Sequence, residues 1–525
     1  AAPLWARAAA AVAALPVGLR VVLVVAAVLH GVGLSWGMPS SDSWAVDGVA
    51  PRDFLPGLAA TFTPGDYYTY PPLHLAILAL LTLPVTLLAV ARAGSTRVPV
   101  VLPEILSPGY MTAMTMTARV VTLAMSLGIV LALAKIAEEI APRERKEGAA
   151  VGAAAFASVG YAFTYYSHTS NLDVPYLFWG SLAALVLVRA IARREPRRLR
   201  RFAVLAALAV ATKDQGYALF LVGAPLTLAT WALLDRWARE AAGRIAREAA
   251  LGAAIGVAIL LFVDGAVTNP SGFRARVAFL TGSASQDYAT YSRDLAGRAA
   301  AFVDTFRAFR HHYPWALAPL PVGGLVVALA AARREGRARV AAALVPLFVA
   351  LSFTLVFNLV ARRVEERFTL PQALFIAVYA GFALERMWSG VRALGLRLGL
   401  RAVAIGALAL GAVECVRIDA TLLADPRYQA EAFLATATQP GDTIEVHGLN
   451  VYLLRFPRGR RVTRVGPTDP AKRGPIPGVE EVQAPLSAVA ERRPRFIVVC
   501  GCYVWRYLER DVSYGGGRIV PPTQG

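Results

Sequence analysis

Carboxylates and imidazoles gather in three short polar stretches that separate long apolar runs. The first stretch contains Asp42 and Asp47, the second contains His74, and the third contains His168 and Asp173. A positioned, ionised carboxylate can take a proton from an attacking hydroxyl group. The alternative is that these loop acids are merely solvated. That alternative is weaker for Asp173, because this residue directly precedes an apolar run, where an unpaired carboxylate is costly.

The elements that must position these side chains are long and apolar. The 525 residues are 56% hydrophobic and 17% charged, and the mean hydropathy is +0.51. Soluble domains carry about 25% charged residues, and runs of roughly 20 apolar residues cross a hydrocarbon core. Such runs lie near 17–36, 72–91, 111–136, 149–166, 172–192, 202–213, 216–234, 250–268, 315–332, 340–360, 369–387 and 402–417. We therefore predict an α-helical polytopic membrane protein and exclude soluble, disordered, fibrous and disulfide-scaffold classes.

The positive charges orient these runs. The segment from Arg189 to Arg201 contains seven arginines and one glutamate, and the segments 333–339 and 386–401 are also rich in arginine. Cytoplasmic loops carry such an excess, so these three loops are expected in the cytoplasm. The net charge of +19 therefore does not indicate a nucleic-acid partner.

One run conflicts with this orientation. We expect 72–91 not to cross, because Pro84 interrupts it and Pro71 with Pro72 bends its entrance. It would lie along or dip into the outer face, as a re-entrant or juxtamembrane helix within an external loop from 37 to 110. The chain then crosses about eleven times, with the N-terminus inside and the C-terminus outside. The alternative is twelve crossings with the N-terminus outside.

The chain divides in two by composition. Residues 1–417 form the predicted transmembrane domain, whereas 418–525 are rich in proline, glycine and charge. Short strand-like runs at Thr443–His447 and Phe496–Cys500 predict a small α/β domain on the outer face.

Several motifs in one order resemble a known family. These are the acidic first loop, Tyr70-Pro71-Pro72-Leu73-His74, Arg119 within the next long run, Asp173 after a short external turn, Thr212-Lys213 with Gly216, Arg367-Phe368-Thr369-Leu370-Pro371, and Asp425-Pro426-Arg427. Together they resemble the C-type superfamily of membrane glycosyltransferases, in the branch of protein O-mannosyltransferases and bacterial aminoarabinose transferases. The resemblance covers nearly the whole chain and implies a site on the outer face of a bacterial inner membrane.

The resemblance implies roles for the acids. Asp47 matches the family's first-loop acid through its Trp-x-x-Asp-x-x-x-Pro frame and would deprotonate the acceptor, while Asp173 would orient acceptor or metal. A single displacement would invert the sugar. A retaining mechanism needs a second carboxylate beside the first, and Asp42 is the candidate. Gly48 stands where the family usually has glutamate, so any role of that glutamate is missing here.

The resemblance also implies a grip on a lipid phosphate. Cations stabilise the charge that develops on a leaving phosphate, and five cations lie on the outer side in this topology: Lys213, Arg119, Arg362, Arg363 and Arg367. Arg362 and Arg363 could equally anchor phospholipid headgroups, and Arg119 could instead pair structurally with an acid.

Two further assignments remain open. Trp44, Tyr70 and His74 could line a sugar pocket, although aromatic residues at span ends are mostly interfacial. No cofactor is assigned with certainty. His74 and Asp173 could hold a divalent metal ion, because oxygen and imidazole ligands suit such ions; a histidine after Pro-Pro is more often a hydrogen-bonding group.

The favoured function is transfer of a monosaccharide from a polyprenyl-phosphate donor to an acceptor of unspecified kind. A transporter or flippase of lipid-linked sugars is the first alternative, but transporters tend to show repeat symmetry, and none is visible. An O-antigen ligase or polymerase is the second. The loop 269–314, with Tyr288, Tyr291 and Arg293, keeps that alternative open.

Overall fold

The computed structural model of the protein describes residues 10, 12–45, 48–282, 286, 289–390, 393–467 and 469–500, together with 513–514 and 517–518. Asp47 and Tyr288 lie outside the described residues.

Helices dominate the described chain up to residue 437. The first half contains α1 (Val17–Leu29), α2 (Phe54–Phe62), α3 (Pro72–Ala93), α4 (Val98–Ile105), α5 (Pro108–Ile140), α6 (Lys146–Ser158), α7 (Tyr161–Ser167), α8 (Asp173–Ala192), α9 (Arg198–Thr212) and α10 (Gly223–Asp235). The second half contains α11 (Arg239–Val263), α12 (Pro270–Thr281), α13 (Leu295–Arg307), α14 (Pro319–Glu335), α15 (Arg337–Phe353), α16 (Glu366–Ser389), α17 (Leu394–Leu423) and α18 (Pro426–Ala437).

Apolar helices of membrane-spanning length confirm the predicted fold class. Within the described residues, nine helical segments are long and apolar enough to cross a membrane. Shorter helices, among them α1, α6 and α9, correspond to the other predicted runs. The protein is therefore a polytopic α-helical membrane protein. The choice between eleven and twelve crossings stays a prediction.

The expectation that Pro84 breaks the second run is wrong. Helix α3 continues through Pro84 from Pro72 to Ala93. A proline inside an apolar helix removes one hydrogen bond, which membrane helices tolerate. Pro72 occupies the first helical position, where the missing N–H is not needed. The two prolines at the entrance therefore start the helix.

The run 149–166 is two helices and not one. Helix α6 ends at Ser158, and α7 begins at Tyr161, whose backbone N–H donates to the carbonyl of His312 (3.1 Å). Gly160 lies at the break, where a Cβ atom would come within 3.1 Å of the Tyr313 hydroxyl. A side chain at this position would crowd Tyr313, so the glycine allows the close approach.

Small residues hold the centre of the bundle together. A Cβ atom on Gly152 of α6 would lie 2.8 Å from the carbonyl oxygen of Gly381 in α16, and one on Gly381 would lie 2.5 Å from that of Ala149. Close backbone approach of this kind is the usual packing mode of membrane helices. Helix α16 is buried along most of its length, from Phe368 to Glu385, so it is a central element of the bundle.

A parallel sheet follows the helices. Its strands β1 (Thr443–Val446), β2 (Arg461–Gly466), β3 (Val479–Gln483) and β4 (Phe496–Val498) are arranged in the order β3-β2-β1-β4. The two predicted strand-like runs pair directly, with Ile444 opposite Phe496. A short helix, α19 (Val489–Arg492), precedes β4, and the two-residue strands β5 (Ser513–Tyr514) and β6 (Gly517–Arg518) form a separate pair. Helix α17 extends to Leu423, beyond the proposed domain boundary at 417, and the division into two domains stays a prediction.

Candidate active site

Arg119 secures the entrance of the first polar loop. Its side chain is fully buried in α5, and its Nη1 donates to the backbone carbonyls of Leu34 (2.6 Å) and Trp36 (2.7 Å). Its Nη2 lies 3.4 Å from the Ser43 hydroxyl. The guanidinium therefore holds the backbone at the loop entrance and pairs with no acid among the described residues, and its donor-binding role stays a prediction.

Asp42 is engaged in a polar network. Its Oδ2 lies 2.8 Å from Arg52 Nη1 and accepts a hydrogen bond from Asn450 Nδ2 (2.6 Å), while Oδ1 accepts from the Ser43 N–H (2.8 Å). Nearby, burial raises the pKa of Asp53, with Arg52 opposing and Asp42 adding to the shift. Asp42 thus ties the first loop to the region of the sheet.

The residues that flank Asp47 lie against the loop before α8. The Val49 N–H donates to the Ser170 carbonyl (3.3 Å), and the Ser170 hydroxyl donates to the Val49 carbonyl (3.0 Å). A Cβ atom on Gly48 would stand 2.9 Å from the Ser170 Oγ. This close approach gives a packing reason for glycine where the family usually has glutamate.

Asp173 and Lys213 form an ion pair at the ends of two neighbouring helices. Asp173 opens α8 and is fully buried, and its Oδ1 lies 2.6 Å from Lys213 Nζ. Lys213 follows the last residue of α9 in an extended conformation and places Nζ 5.8 Å from the Tyr176 ring centroid. The Asp173 Oδ2 has no hydrogen-bond partner among the described residues. One carboxylate oxygen is therefore bound by the cation, and the other is buried without a hydrogen-bond partner among the described residues.

Two arginines share one carboxylate at the start of α16. Arg363 Nη2 lies 2.5 Å and Arg367 Nε 3.3 Å from the Glu365 carboxylate. Both guanidinium carbons stand 4.6 Å from the Phe368 ring centroid. Tyr166 lies within the electrostatic reach of both Asp173 and Arg367. Arg363, Arg367 and Glu365 together carry two positive charges and one negative charge.

Arg362 performs a different task from its neighbours. It adopts a left-handed backbone conformation (φ 55°), and its Nη1 donates to the Tyr291 carbonyl (2.5 Å). Its Nε donates to Gln286 Oε1 (3.2 Å), and its own carbonyl accepts from the Thr290 N–H (3.0 Å). Arg362 thus holds the loop between α12 and α13, away from the two arginines stacked on Phe368.

His74 and Tyr70 stand at the entrance of α3 in contrasting environments. His74 is fully buried, and neither ring nitrogen has a hydrogen-bond partner among the described residues, whereas Tyr70 is 37% exposed. No group of three or more His, Cys, Asp or Glu residues that could hold a metal ion occurs in the described part of the chain. A site built on His74 and Asp173 would therefore need further ligands.

Trp44 joins the first loop to the region after α17. Its ring lies 5.1 Å from that of Tyr428 and 4.1 Å from the Arg427 guanidinium carbon. Trp36 donates from Nε1 to Asp425 Oδ2 (2.9 Å). We call these five residues the aromatic–arginine joint. It fixes the start of the first loop to α18.

A cavity of about 390 Å³ lies beside this joint, between the first loop and the sheet region. The loop contributes Ser40, Asp42 and Trp44, and the sheet region contributes Asn450, Arg455 and Arg458. Arg458 is exposed and has no ion-pair partner in the described ranges. The cavity therefore offers hydroxyl, amide, aromatic and cationic groups to a polar ligand.

The structure also contains a charged cluster that the sequence motifs did not reveal. Arg276 of α12 is buried and pairs with Asp214, and its guanidinium carbon stands 5.0 Å from the Tyr68 ring. Tyr68 donates its hydroxyl proton to the Asp264 carbonyl. Burial raises the pKa of the Asp264 carboxyl to about 7, an effect that Arg276 opposes and Asp214 reinforces. We call Asp214, Asp264, Arg276 and Tyr68 the lower acid cluster; no spacing pattern in the sequence connects its members.

Comparison with known proteins gives structural matches only. No family model matches the chain, and no curated protein matches it. The crystal structure of ArnT from Cupriavidus metallidurans, in the apo state and bound to undecaprenyl phosphate, has 17% sequence identity and a TM-score of 0.49, covering 95% of this chain and 91% of that chain. An oligosaccharyltransferase from Archaeoglobus fulgidus, tethered to an acceptor peptide, has 15% identity and a TM-score of 0.42, covering 83% of this chain and 62% of that chain.

Both matched proteins belong to the superfamily that the sequence motifs resemble. Similarity at this level carries no argument about chemistry. The side chains of this protein must therefore indicate its chemistry.

Proposed function

We propose that this protein is a membrane glycosyltransferase that moves a monosaccharide from a polyprenyl-phosphate donor to an acceptor at the outer face of a bacterial inner membrane. The observation that carries the proposal is the buried Asp173–Lys213 pair, in which Oδ2 of Asp173 has no hydrogen-bond partner among the described residues. A carboxylate and a cation fixed together in a dry site can position a hydroxyl and stabilise a phosphate leaving group.

Asp47 acts as the general base in this proposal. The contacts of Gly48 and Val49 with Ser170 bring its loop to the polypeptide that enters α8 at Asp173. The acceptor oxygen forms a bond to the anomeric carbon as the bond from that carbon to the phosphate oxygen breaks. Asp47 takes the hydroxyl proton, and the polyprenyl phosphate leaves with the bonding electron pair. One displacement inverts the sugar.

Lys213 and Arg367 receive the negative charge of the leaving phosphate. Lys213 is held by Asp173, and Arg367 is held over Phe368 by stacking and by Glu365. Cations that are already oriented stabilise a developing charge without reorganising during the reaction.

The cavity between the first loop and the sheet region is the proposed acceptor entrance. It opens beside Trp44 and Asp42, on the loop that continues to Asp47. Its hydroxyl, amide and aromatic groups match the hydrogen-bonding and stacking surfaces of a sugar.

The test uses purified protein in nanodiscs with a panel of radiolabelled polyprenyl-phosphate sugars. Wild type is expected to release sugar or polyprenyl phosphate from one donor, and Asp47→Asn is expected to reduce this rate by about 10²–10⁴-fold, the usual contribution of a general base. Asp66→Asn is the matched control, because Asp66 is an exposed acid of the same external loop. Its rate is expected to equal that of wild type.

Two results would overturn the proposal. Full turnover in Asp47→Asn at equal expression would remove the assigned base. Movement of labelled lipid between leaflets, with no sugar transfer to any acceptor tested, would identify a carrier.

A further inference from the structure

A second polar cavity lies at the end of the bundle opposite the Asp173–Lys213 pair. Helix α9 begins at Arg198 near this cavity and ends at Thr212, next to Lys213. Its 15 residues separate the two places by about 22 Å at 1.5 Å per residue. The cavity has a volume of about 500 Å³ and is lined by the turn between α8 and α9 and by the facing ends of α10 and α11.

Arginine side chains surround this cavity in excess over its acids. The acids are already occupied: Asp235 by Arg194 (2.6 Å), and Glu248 by Arg200 (2.6 Å). Glu195 likewise pairs with Arg198 (2.5 Å). Arg197 and Arg244 also line the cavity, and neither has an ion-pair partner within the described chain. The cavity therefore presents two uncompensated cations.

Two buried indole N–H groups in the same wall lack acceptors. Trp231 is 2% exposed, and its ring packs edge-to-face on that of Trp237 with centroids 5.0 Å apart. Neither Nε1 atom has a hydrogen-bond partner among the described residues. Buried indole N–H groups usually find an acceptor, and leaving one unsatisfied costs about 1–3 kcal/mol. Both tryptophans line the cavity, so an anionic oxygen inside it would find donors as well as charge.

We propose that this cavity binds the phosphate of an anionic phospholipid from the leaflet at that end of the bundle. Arg197 and Arg244 supply the charge, and the indole N–H groups of Trp231 and Trp237 donate to the phosphate oxygens. Basic pockets between membrane helices are a recurrent form of headgroup site.

The surroundings favour a lipid over a soluble phosphate. The cavity lies at the ends of two candidate membrane-spanning segments, Asp214–Asp235 and Arg239–Val263. Leu233 of α10 is 78% exposed and Leu251 of α11 is 41% exposed. Apolar side chains on these helices therefore offer acyl chains a surface that leads away from the arginines.

The experiment measures lipid binding by native mass spectrometry of the full chain, released from nanodiscs containing either phosphatidylglycerol or phosphatidylcholine. We expect retained phosphatidylglycerol and no retained phosphatidylcholine. The double substitution Arg197→Gln/Arg244→Gln is expected to weaken phosphatidylglycerol binding by about 25-fold, because each arginine near anionic lipid contributes about fivefold. Trp231→Phe keeps the ring but removes one donor, and is expected to weaken binding by about fivefold.

The matched control is Arg333→Gln/Arg334→Gln, which removes two exposed arginines of α14 that do not line this cavity. It is expected to bind phosphatidylglycerol as wild type does. Equal loss in the control, equal retention of the two lipids, or unchanged binding in Trp231→Phe would overturn the proposal. Displacement of the lipid by millimolar inorganic phosphate would overturn the choice of a lipid and assign the cavity to free phosphate.

Discussion

Lys213 and Asp214 are neighbours in the chain but belong to two different charged clusters. Lys213 pairs with Asp173 through the carboxylate oxygen Oδ1. Asp214 belongs to the lower acid cluster and pairs there with Arg276. The Asp264 carboxyl lies near both, so this cluster contains two carboxyl groups and one cation. Because Lys213 is extended between α9 and a 3₁₀ turn, the two side chains leave the backbone toward different neighbours.

The difference shows how burial, together with the nearby charges, decides what buried acids can do. In the Asp173–Lys213 pair, the cation binds one oxygen of Asp173, and the other oxygen is buried without a hydrogen-bond partner among the described residues. In the lower acid cluster, burial and the charge of Asp214 outweigh Arg276, and the pKa of Asp264 rises to about 7. We therefore expect the first cluster to matter for activity and the second for stability.

The largest expected effect comes from breaking the Asp173–Lys213 pair. Asp173→Asn leaves Lys213 without its anion, and breaking a buried pair costs about 3–5 kcal/mol in unfolding free energy. Loss of a positioned carboxylate should also lower the rate of sugar release by about 10²–10⁴-fold. Thermal unfolding in detergent measures the first effect, and radiolabelled sugar release measures the second.

The double substitution Asp173→Asn/Lys213→Met separates the two effects. It removes both charges, so stability should largely return while activity stays low. The control is the exposed pair Arg461–Glu480 of strands β2 and β3, whose neutralisation should change neither quantity measurably. Recovery of activity in the double variant would show that the pair only supports the fold.

Removal of Arg276 is expected to have the next largest effect. Arg276→Met leaves Asp214 and Asp264 buried without their cation, so the unfolding free energy should fall by a few kcal/mol, about 3–5 at most. The loss should be smaller at pH 5 than at pH 8, because protonated carboxyl groups need no cation. Thermal unfolding at the two pH values checks this prediction. An equal loss of unfolding free energy at both pH values would contradict an excess of carboxyl groups over cations in the cluster.

Asp264→Asn should change the pH dependence of stability. A carboxyl whose pKa is raised in the folded state stabilises that state at low pH and loses this contribution as pH rises through its folded pKa, which is about 7 for Asp264. At pH 8 the variant should therefore be more stable than wild type by roughly 1–4 kcal/mol, since one unit of pKa is about 1.4 kcal/mol. Asp66→Asn, at an exposed position, should show no such gain.

Tyr68→Phe is expected to have the smallest effect. The tyrosine hydroxyl donates to the Asp264 carbonyl, and a single neutral hydrogen bond contributes about 1 kcal/mol. Sugar release should be unchanged because the lower acid cluster has no proposed catalytic role. If Tyr68→Phe lowered the rate of sugar release by more than its loss of stability explains, the lower acid cluster would have a role in activity. That result would contradict the comparison between the two clusters.

Local patterns were sufficient for much of the fold. Apolar runs marked the helices, and alternating residues marked β1 and β4, because both features depend on near neighbours in sequence. The rule that proline breaks a helix failed at Pro84, since an apolar helix in a membrane has no better alternative for its backbone. The helix predicted over 149–166 is interrupted at Gly160, which lies against Tyr313, a residue distant in the chain.

The site was only partly accessible from sequence. The acids and cations could be nominated by type and position, but their partners could not. Arg119 was grouped with phosphate-binding cations, although its donors contact the carbonyls of Leu34 and Trp36, a use that only tertiary structure reveals. Asp214 and Arg276 are 62 residues apart, and neither belongs to a motif.

The aromatic–arginine joint has a consequence for the synthesis of the protein. Trp36 and Trp44 are synthesised early, whereas their partners Asp425, Arg427 and Tyr428 belong to the last fifth of the chain. Until nearly the whole chain has left the ribosome and been inserted, the loop that leads to Asp47 is therefore held at this end by Arg119 but not by the joint. Under the proposed function, an incomplete chain could not consume lipid-linked sugar, and the cell's limited pool of carrier lipid would be protected from half-made copies.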